Sequence, residues 1–271
     1  MPSEIKNVAI DGLGAIGLRT AEAIDAGIEG LKLSAVSARN VEAAEKRVLN
    51  FRNPPLVLAI TELAEHADII VECVPAAYFD DIAVPAIETG CIFIPCSCGQ
   101  LIERGPLIER ARKTGAQILV PTGALAGFDA VRAAAEGTVH EVRMVTRKPP
   151  RGIHGAPYIR ENNIDLDNVR EPLKVFEGTV REAAAGFPAN LNVAAALSMA
   201  ALGPDKTIVE LWADPTKTRN EHTIIVDSDV THFEIKIAGI PSPDNPATGL
   251  LTPLSVIATL RGLVSAFKVG S

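Results

Sequence analysis

An apolar strand that runs directly into a GxGxxG turn fixes how a chain must begin to fold. The segment Ile5-Lys-Asn-Val-Ala-Ile-Asp-Gly12-Leu-Gly14-Ala-Ile-Gly17 is such a strand and turn. Each glycine has its own physical task. The first makes the sharp strand-to-helix turn, the second lets a pyrophosphate approach the backbone, and the third packs helix on strand. Gly17, Ala21, Ile24 and Ile28 then recur at helical spacing, and Gly27 and Gly30 stop the helix they define. Its positive N-terminal end is a ready anion site, so the pattern places Gly12, Gly14, Ala15 and Ile16 at a dinucleotide pyrophosphate.

Size and composition agree with that start. A chain of 271 residues fits one large domain or two modest ones. Hydrophobic residues make up 47% but aromatic residues only 4%, so the core is built from Ala, Val, Ile and Leu, as in parallel sheets covered by helices. A net charge of -7 argues against nucleic-acid and anionic-membrane partners, which need a basic surface. Any anionic substrate must therefore be held by local cations. No apolar run reaches membrane-spanning length and no cationic leader precedes residue 5, so a cytoplasmic protein is expected.

Cys73, Cys91, Cys96 and Cys98 fall close together, yet they lack the paired spacing of a zinc site. Cys73 and Cys91 lie in buried-strand patterns, and no metal is expected. Small buried thiols at strand ends are the plain account; a catalytic thiolate in Cys96-Ser-Cys98 is the alternative.

Strand and helix patterns alternate through the first half, with strands near 6 to 11, 31 to 38, 67 to 74, 91 to 95 and 116 to 120. Helical patterns occupy 41 to 50, 77 to 90 and 102 to 114. This βαβ rhythm predicts a Rossmann-type doubly wound parallel sheet. Ligands bind at the C-terminal ends of such strands, where Cys73-Val74-Pro75, Cys96-Ser-Cys-Gly99 and Pro121-Thr-Gly-Ala124 offer small or turn-forming residues. Val74 and Pro75 are accordingly assigned to the nicotinamide rim.

After about residue 136 the strands lengthen and alternate more, near 138 to 147, 173 to 180, 207 to 213, 222 to 228 and 232 to 240. A buried helix is expected over 187 to 202. The polar stretch from Pro149 to Arg170 reads as a mobile loop or lid. The expected architecture is α/β: a dinucleotide-binding domain over 1 to 123, an α+β catalytic domain over 124 to 249, and a C-terminal helix within 250 to 271 that returns to the first domain.

The second strand of a Rossmann unit usually ends in an acid, about twenty residues past the glycines, that takes both ribose hydroxyls of NAD. Here Ser37-Ala38-Arg39-Asn40 stands at that corner without a carboxylate. Arg39, with Ser37 and Asn40, suits a 2′-phosphate through charge-assisted bonds. An arginine stacked on adenine or simply solvated is the alternative. Both NAD and NADP are expected to serve.

Five histidines compete for acid/base work, which a pKa near neutrality suits. His232 alternates with Glu234 and Lys236 and should face solvent. His66 sits on a charged helix end and His154 in the polar loop. His140 shares a face with Val142 and Met144, which reads as a core histidine. His222 opens the strand His222-Thr-Ile-Ile-Val226 on the face of Ile224 and Val226, a place suited to a pocket edge. By pattern alone it ranks only slightly above His140.

Six segments in order add a resemblance: Gly12-Leu-Gly-Ala-Ile-Gly17, Pro121-Thr-Gly-Ala124-Leu-Ala-Gly, Thr146-Arg-Lys-Pro-Pro150, Phe187-Pro-Ala-Asn190-Leu-Asn-Val-Ala, Ala213-Asp-Pro with Arg219-Asn-Glu-His222, and Asp244-Asn245-Pro246-Ala-Thr248. Together they cover nearly the whole chain, which resembles the L-aspartate dehydrogenase family. The resemblance implies that His222 is catalytic, that Ala124 and Asn190 contact the dinucleotide, and that L-aspartate yields iminosuccinate, then oxaloacetate and ammonia. It also implies a place in NAD biosynthesis. Otherwise Asn190 reads as a helix cap and Ala124 as a turn residue. The substrate carboxylates are assigned to Asn245 and Thr248, with Lys148 as the nearby cation. Where the family commonly has serine after that threonine, this chain has Gly249.

A homodimer or higher homo-oligomer is expected. Homoserine dehydrogenase and dihydrodipicolinate reductase share the architecture and are the enzymatic alternatives; a His-His-x-x-Lys run, typical of the second, is missing. A catalytically silent dinucleotide-binding module is the alternative of another class.

Overall fold

The computed structural model describes residues 5–188, 191–243, 245 and 248–270. By contacts the chain divides into two units, with boundaries at Pro121/Thr122 and at Leu251/Thr252.

The first unit is a parallel sheet wound on both faces. In chain order it contains β1 (Lys6–Asp11), α1 (Ala15–Gly27), β2 (Leu31–Ser37), α2 (Val41–Val48), β3 (Leu56–Val57), β4 (Ile69–Glu72), α3 (Phe79–Glu88), β5 (Ile92–Pro95), α4 (Gly105–Thr114) and β6 (Gln117–Ile118). The strands lie in the order β3-β2-β1-β4-β5-β6, and every pairing is parallel. All four residues of β4 and the last four of β1 are buried, which explains their unbroken rather than alternating apolar pattern. The strand order reverses between β1 and β4, and their C-terminal ends form the crevice where such sheets take ligands.

The second unit carries a mixed sheet. Its elements are α5 (Phe128–Ala135), β7 (Val139–Lys148), α6 (Pro157–Glu161), β8 (Leu173–Thr179), α7 (Val180–Gly186), α8 (Asn192–Ala200), β9 (Ile208–Ala213), β10 (Glu221–Ser228) and β11 (His232–Ala238). The order is β11-β10-β7-β9-β8, with β7 and β9 parallel and the other pairings antiparallel. Strict alternation along β7 turns Val142, Met144, Thr146 and Lys148 inward. The other face carries Arg143, whose guanidinium meets Glu141, Glu177 and Glu210 at 2.8, 3.0 and 2.7 Å. The last helix, α9 (Leu251–Val264), buries Val256 and Leu260 in the same core as Val8, Ile10 and Leu33 of the first sheet.

Two expectations about the second unit change. The buried helix expected over 187 to 202 forms as the shorter α8, and an additional helix, α7, precedes it, started at Val180 by the capping box of Thr179 and Glu182. The stretch from Pro149 to Arg170 is anchored rather than a free lid. Ile153, Ala156, Ile159 and Leu166 are buried, and the Tyr158 ring packs 5.3 Å from Phe176 and 5.2 Å from Phe187. Its polar composition concealed four apolar anchors.

Candidate active site

The glycine turn has the shape a dinucleotide needs. Gly12 adopts φ +91, and a Cβ there would come within 2.8 Å of the Cys73 carbonyl. A Cβ on Gly17 would sit 1.8 Å from the Gly12 carbonyl, so only glycine lets α1 close on β1. Gly14 differs: nothing lies within 4 Å of its absent Cβ, and the space it leaves is open to a ligand. Ala15 and Ile16 begin α1, whose first turn contains no acidic residue to repel a phosphate. These residues therefore fit a bound dinucleotide. Arg47 of α2, which the sequence reading overlooked, donates to the Leu13 carbonyl at 2.8 Å and steadies the turn.

At the ribose corner the expected trio separates. Ser37 is buried, and its hydroxyl donates to Asp11 instead of facing a 2′-phosphate. The Asn40 side chain caps α2 by accepting from the Ala43 amide at 3.0 Å. Arg39 and Asn40 are both exposed, and Arg39 makes no hydrogen bond or ion pair to the described residues.

Beneath the turn lies a pair of buried carboxyls that sequence reasoning missed. Asp11 and Glu72 are registered neighbours at the ends of β1 and β4. Burial pushes the Asp11 carboxyl up to about 6 and the Glu72 carboxyl up to about 7. Glu72 accepts from the Val74 and Ser97 amides, each at 2.9 Å, and from the Ser97 hydroxyl at 3.0 Å. It thereby ties together the loops after β4 and β5. Asp11 Oδ2 has no partner among the described residues. Val74 is half-buried and Pro75 exposed at that rim.

In the second unit three predicted or motif residues converge. His222 pairs with Thr146 across β10 and β7, and Nδ1 lies 2.9 Å from Thr146 Oγ1. Lys148 follows two residues along β7 on the same face. All three are buried. Burial, reinforced by the Lys148 charge, holds the His222 ring down at about 4, and burial alone lowers the Lys148 ammonium to about 8. Near neutral pH the imidazole is neutral and the ammonium charged. Asp214 fixes the strand end: its amide donates to the Lys148 carbonyl at 2.8 Å, and its carboxylate pairs with Arg147 at 3.3 Å. Thr146 was legible only as part of a motif; its place opposite His222 comes from strand register.

The turn assigned to the substrate is closed on itself. Asn245 Nδ2 donates to Thr248 Oγ1 at 3.2 Å, and the Thr248 amide donates to the Asn245 carbonyl at 2.9 Å. A Cβ at Gly249 would meet the Ile240 carbonyl at 3.8 Å and the Ala124 methyl at 4.0 Å, which is ordinary contact. Packing does not demand glycine there, and Ala124 borders the turn. Asn190 lies outside the described residues.

The other histidines separate clearly. His232 is exposed beside Asp227, His66 is exposed, and His154 is exposed beside Asp167. His140 is exposed too, contrary to the core histidine expected, because it lies near the start of β7 where the covering core has not begun. Cys91 and Cys98 are buried, whereas Cys73 and Cys96 are half-buried. Among the described residues no cluster of three or more His, Cys, Asp or Glu could hold a metal. No helix among them is long and apolar enough to cross a membrane.

Known proteins place this arrangement. A family model for the aspartate dehydrogenase C-terminal region matches residues 129–263, and one for the homoserine dehydrogenase NAD-binding domain matches residues 12–121. An L-aspartate dehydrogenase of Bradyrhizobium diazoefficiens is 54% identical, covering 99% of this chain and 95% of its own. One from Methanococcoides burtonii is 36% identical over 97% and 99%. The crystal structure of aspartate dehydrogenase from Thermotoga maritima shares the fold, with a TM-score of 0.75 at 24% identity over 98% and 99% of the two chains. On these matches, which run through both units, the chain belongs to the L-aspartate dehydrogenase family.

Proposed function

We propose that this chain oxidises L-aspartate with NAD or NADP and releases oxaloacetate and ammonia by way of iminosuccinate. The observation that carries the reading is the buried Thr146, Lys148 and His222 group, in a chain whose relatives over nearly its full length are named L-aspartate dehydrogenases. The dinucleotide, when bound, supplies the acceptor for the hydride that leaves Cα.

The chain's own residues do the rest. Lys148 is charged below about pH 8 and holds a substrate carboxylate as a buried cation. The Thr248 hydroxyl accepts from Asn245 and keeps its own proton to donate to the second carboxylate. His222, neutral above about pH 4, takes a proton from the water that attacks the imine carbon. Thr146 fixes the ring for that transfer. Gly12, Gly14, Ala15 and Ile16 hold the pyrophosphate, Arg39 and Asn40 border the adenosine ribose, and Val74 and Pro75 line the nicotinamide rim of the first unit. A cytoplasmic homo-oligomer belongs to the same proposal; sedimentation of the purified protein tests the assembly.

The direct experiment is His222→Ala. It should leave NADH binding nearly intact while turnover falls roughly a hundredfold to ten-thousandfold, the scale of a positioned proton-transfer group. Unchanged turnover in this variant would remove His222 from the mechanism.

A further inference from the structure

Cys73 and Cys96 stand side by side at the dinucleotide rim. Each follows one member of the registered pair Glu72 and Pro95, and the Cys96 amide donates to the Glu72 carbonyl at 3.0 Å. Their Sγ atoms are 3.7 Å apart, and both side chains are half-buried. Neighbouring strands run about 4.8 Å apart, within the separation a disulfide spans. The other two thiols are buried, and Cys91 is bonded to the Ala67 carbonyl at 3.1 Å.

We propose that Cys73 and Cys96 form a reversible oxidation site, in which a peroxide converts the two thiols into a disulfide that weakens dinucleotide binding. The Cys96 sulfur attacks one peroxide oxygen; the O–O bond breaks, one water leaves, and Cys96 becomes a sulfenic acid. The Cys73 sulfur then attacks the Cys96 sulfur, the S–O bond breaks, and a second water carries off the hydroxyl with the Cys73 proton. Two thiols are oxidised and one peroxide is reduced to two waters. The order follows from local electrostatics. Donation toward Cys96 and burial hold the Cys73 thiol protonated well above the usual thiol range, which leaves Cys96 to attack first.

The link to the dinucleotide is steric. The Cys73 carbonyl is the wall against which Gly12 packs. Glu72 already clamps Val74 and Ser97, so the loops do not simply part to relieve a new bond. Drawing the sulfurs from 3.7 Å to a bond of about 2.05 Å takes side-chain rotation together with, in this proposal, a shift of the Cys73 backbone against the glycine turn. By reciprocity, a bound dinucleotide must oppose the bridge by the same factor. The inference rests on the dinucleotide site alone and is independent of the substrate.

Hydrogen peroxide treatment followed by alkylation and mass spectrometry tests the chemistry, and fluorescence titration with NADH tests the consequence. The expected product has lost two hydrogens and yields a peptide joining Cys73 to Cys96. The NADH dissociation constant should rise about tenfold, within the usual range for coupled sites, and return on reduction with dithiothreitol. Cys73→Ser should halt at a Cys96 sulfenic acid trapped by dimedone, and Cys96→Ser should give no bridge. A bridge through Cys91 or Cys98, or irreversible oxygen addition without a bridge, would overturn the site. A bridged protein with unchanged NADH affinity would overturn the coupling, and neither result would bear on the oxidation of L-aspartate.

Discussion

Thr146 Oγ1 lies 2.9 Å from His222 Nδ1 across a registered pair of antiparallel strands, with both side chains buried. A neutral imidazole has one nitrogen that donates and one that accepts; a threonine hydroxyl can serve either, so this bond fixes the orientation of the ring. Thr146→Val keeps the shape and removes the bond. Turnover should fall about fivefold, in line with a neutral hydrogen bond of about 1 kcal/mol, while Thr146→Ser recovers most of it. Stopped-flow and steady-state rates of all three proteins check this; equal turnover in the valine variant would mean the ring is oriented by packing alone.

Lys148 supplies a pH dependence whose sign is fixed by burial. Its ammonium is lowered to about 8, so the free enzyme loses that charge as pH rises through 8. The substrate amine acts in the opposite direction, since only its unprotonated form releases hydride. The profile of kcat/KM for L-aspartate should therefore rise from neutral pH and turn down on the alkaline side. Lys148→Met should remove the downturn and raise KM roughly tenfold to a hundredfold, the worth of a bond to a charged group. Persistence of the downturn in the methionine variant would assign it to another residue.

Arg39 is the exposed cation where an acid would repel a 2′-phosphate. Because Ser37 is taken by Asp11 and the Asn40 side-chain oxygen caps a helix, discrimination falls to Arg39. Arg39→Ala should weaken NADPH more than NADH by about 1.5 to 3 kcal/mol. Paired fluorescence titrations measure the difference, and an equal loss with both would show that Arg39 does not read the phosphate.

Local pattern carried much of this site. The glycines of residues 12 to 17 announced the turn because each meets a steric demand that no other residue meets. Alternation placed His222 inward and His232 outward, since period two is a property of the strand itself. What escaped the sequence is whatever depends on distant partners. Asp11 looks like a polar strand end until Ser37 and Glu72 arrive from neighbouring strands. His140 has the right parity for burial but lies near the start of its strand. The 149 to 170 segment looks mobile until Tyr158 meets Phe176 and Phe187.

Substrate choice is the most direct test. Specificity constants for NAD and NADP reduction with L-aspartate and L-alanine, measured side by side, ask whether two donors, the buried Lys148 and the half-buried Thr248, await two carboxylates. A site built for two carboxylates should prefer L-aspartate by about ten-thousandfold, because L-alanine leaves one of those donors unpaired. Comparable constants for the two amino acids, or preference for a hydroxy acid, would contradict the account.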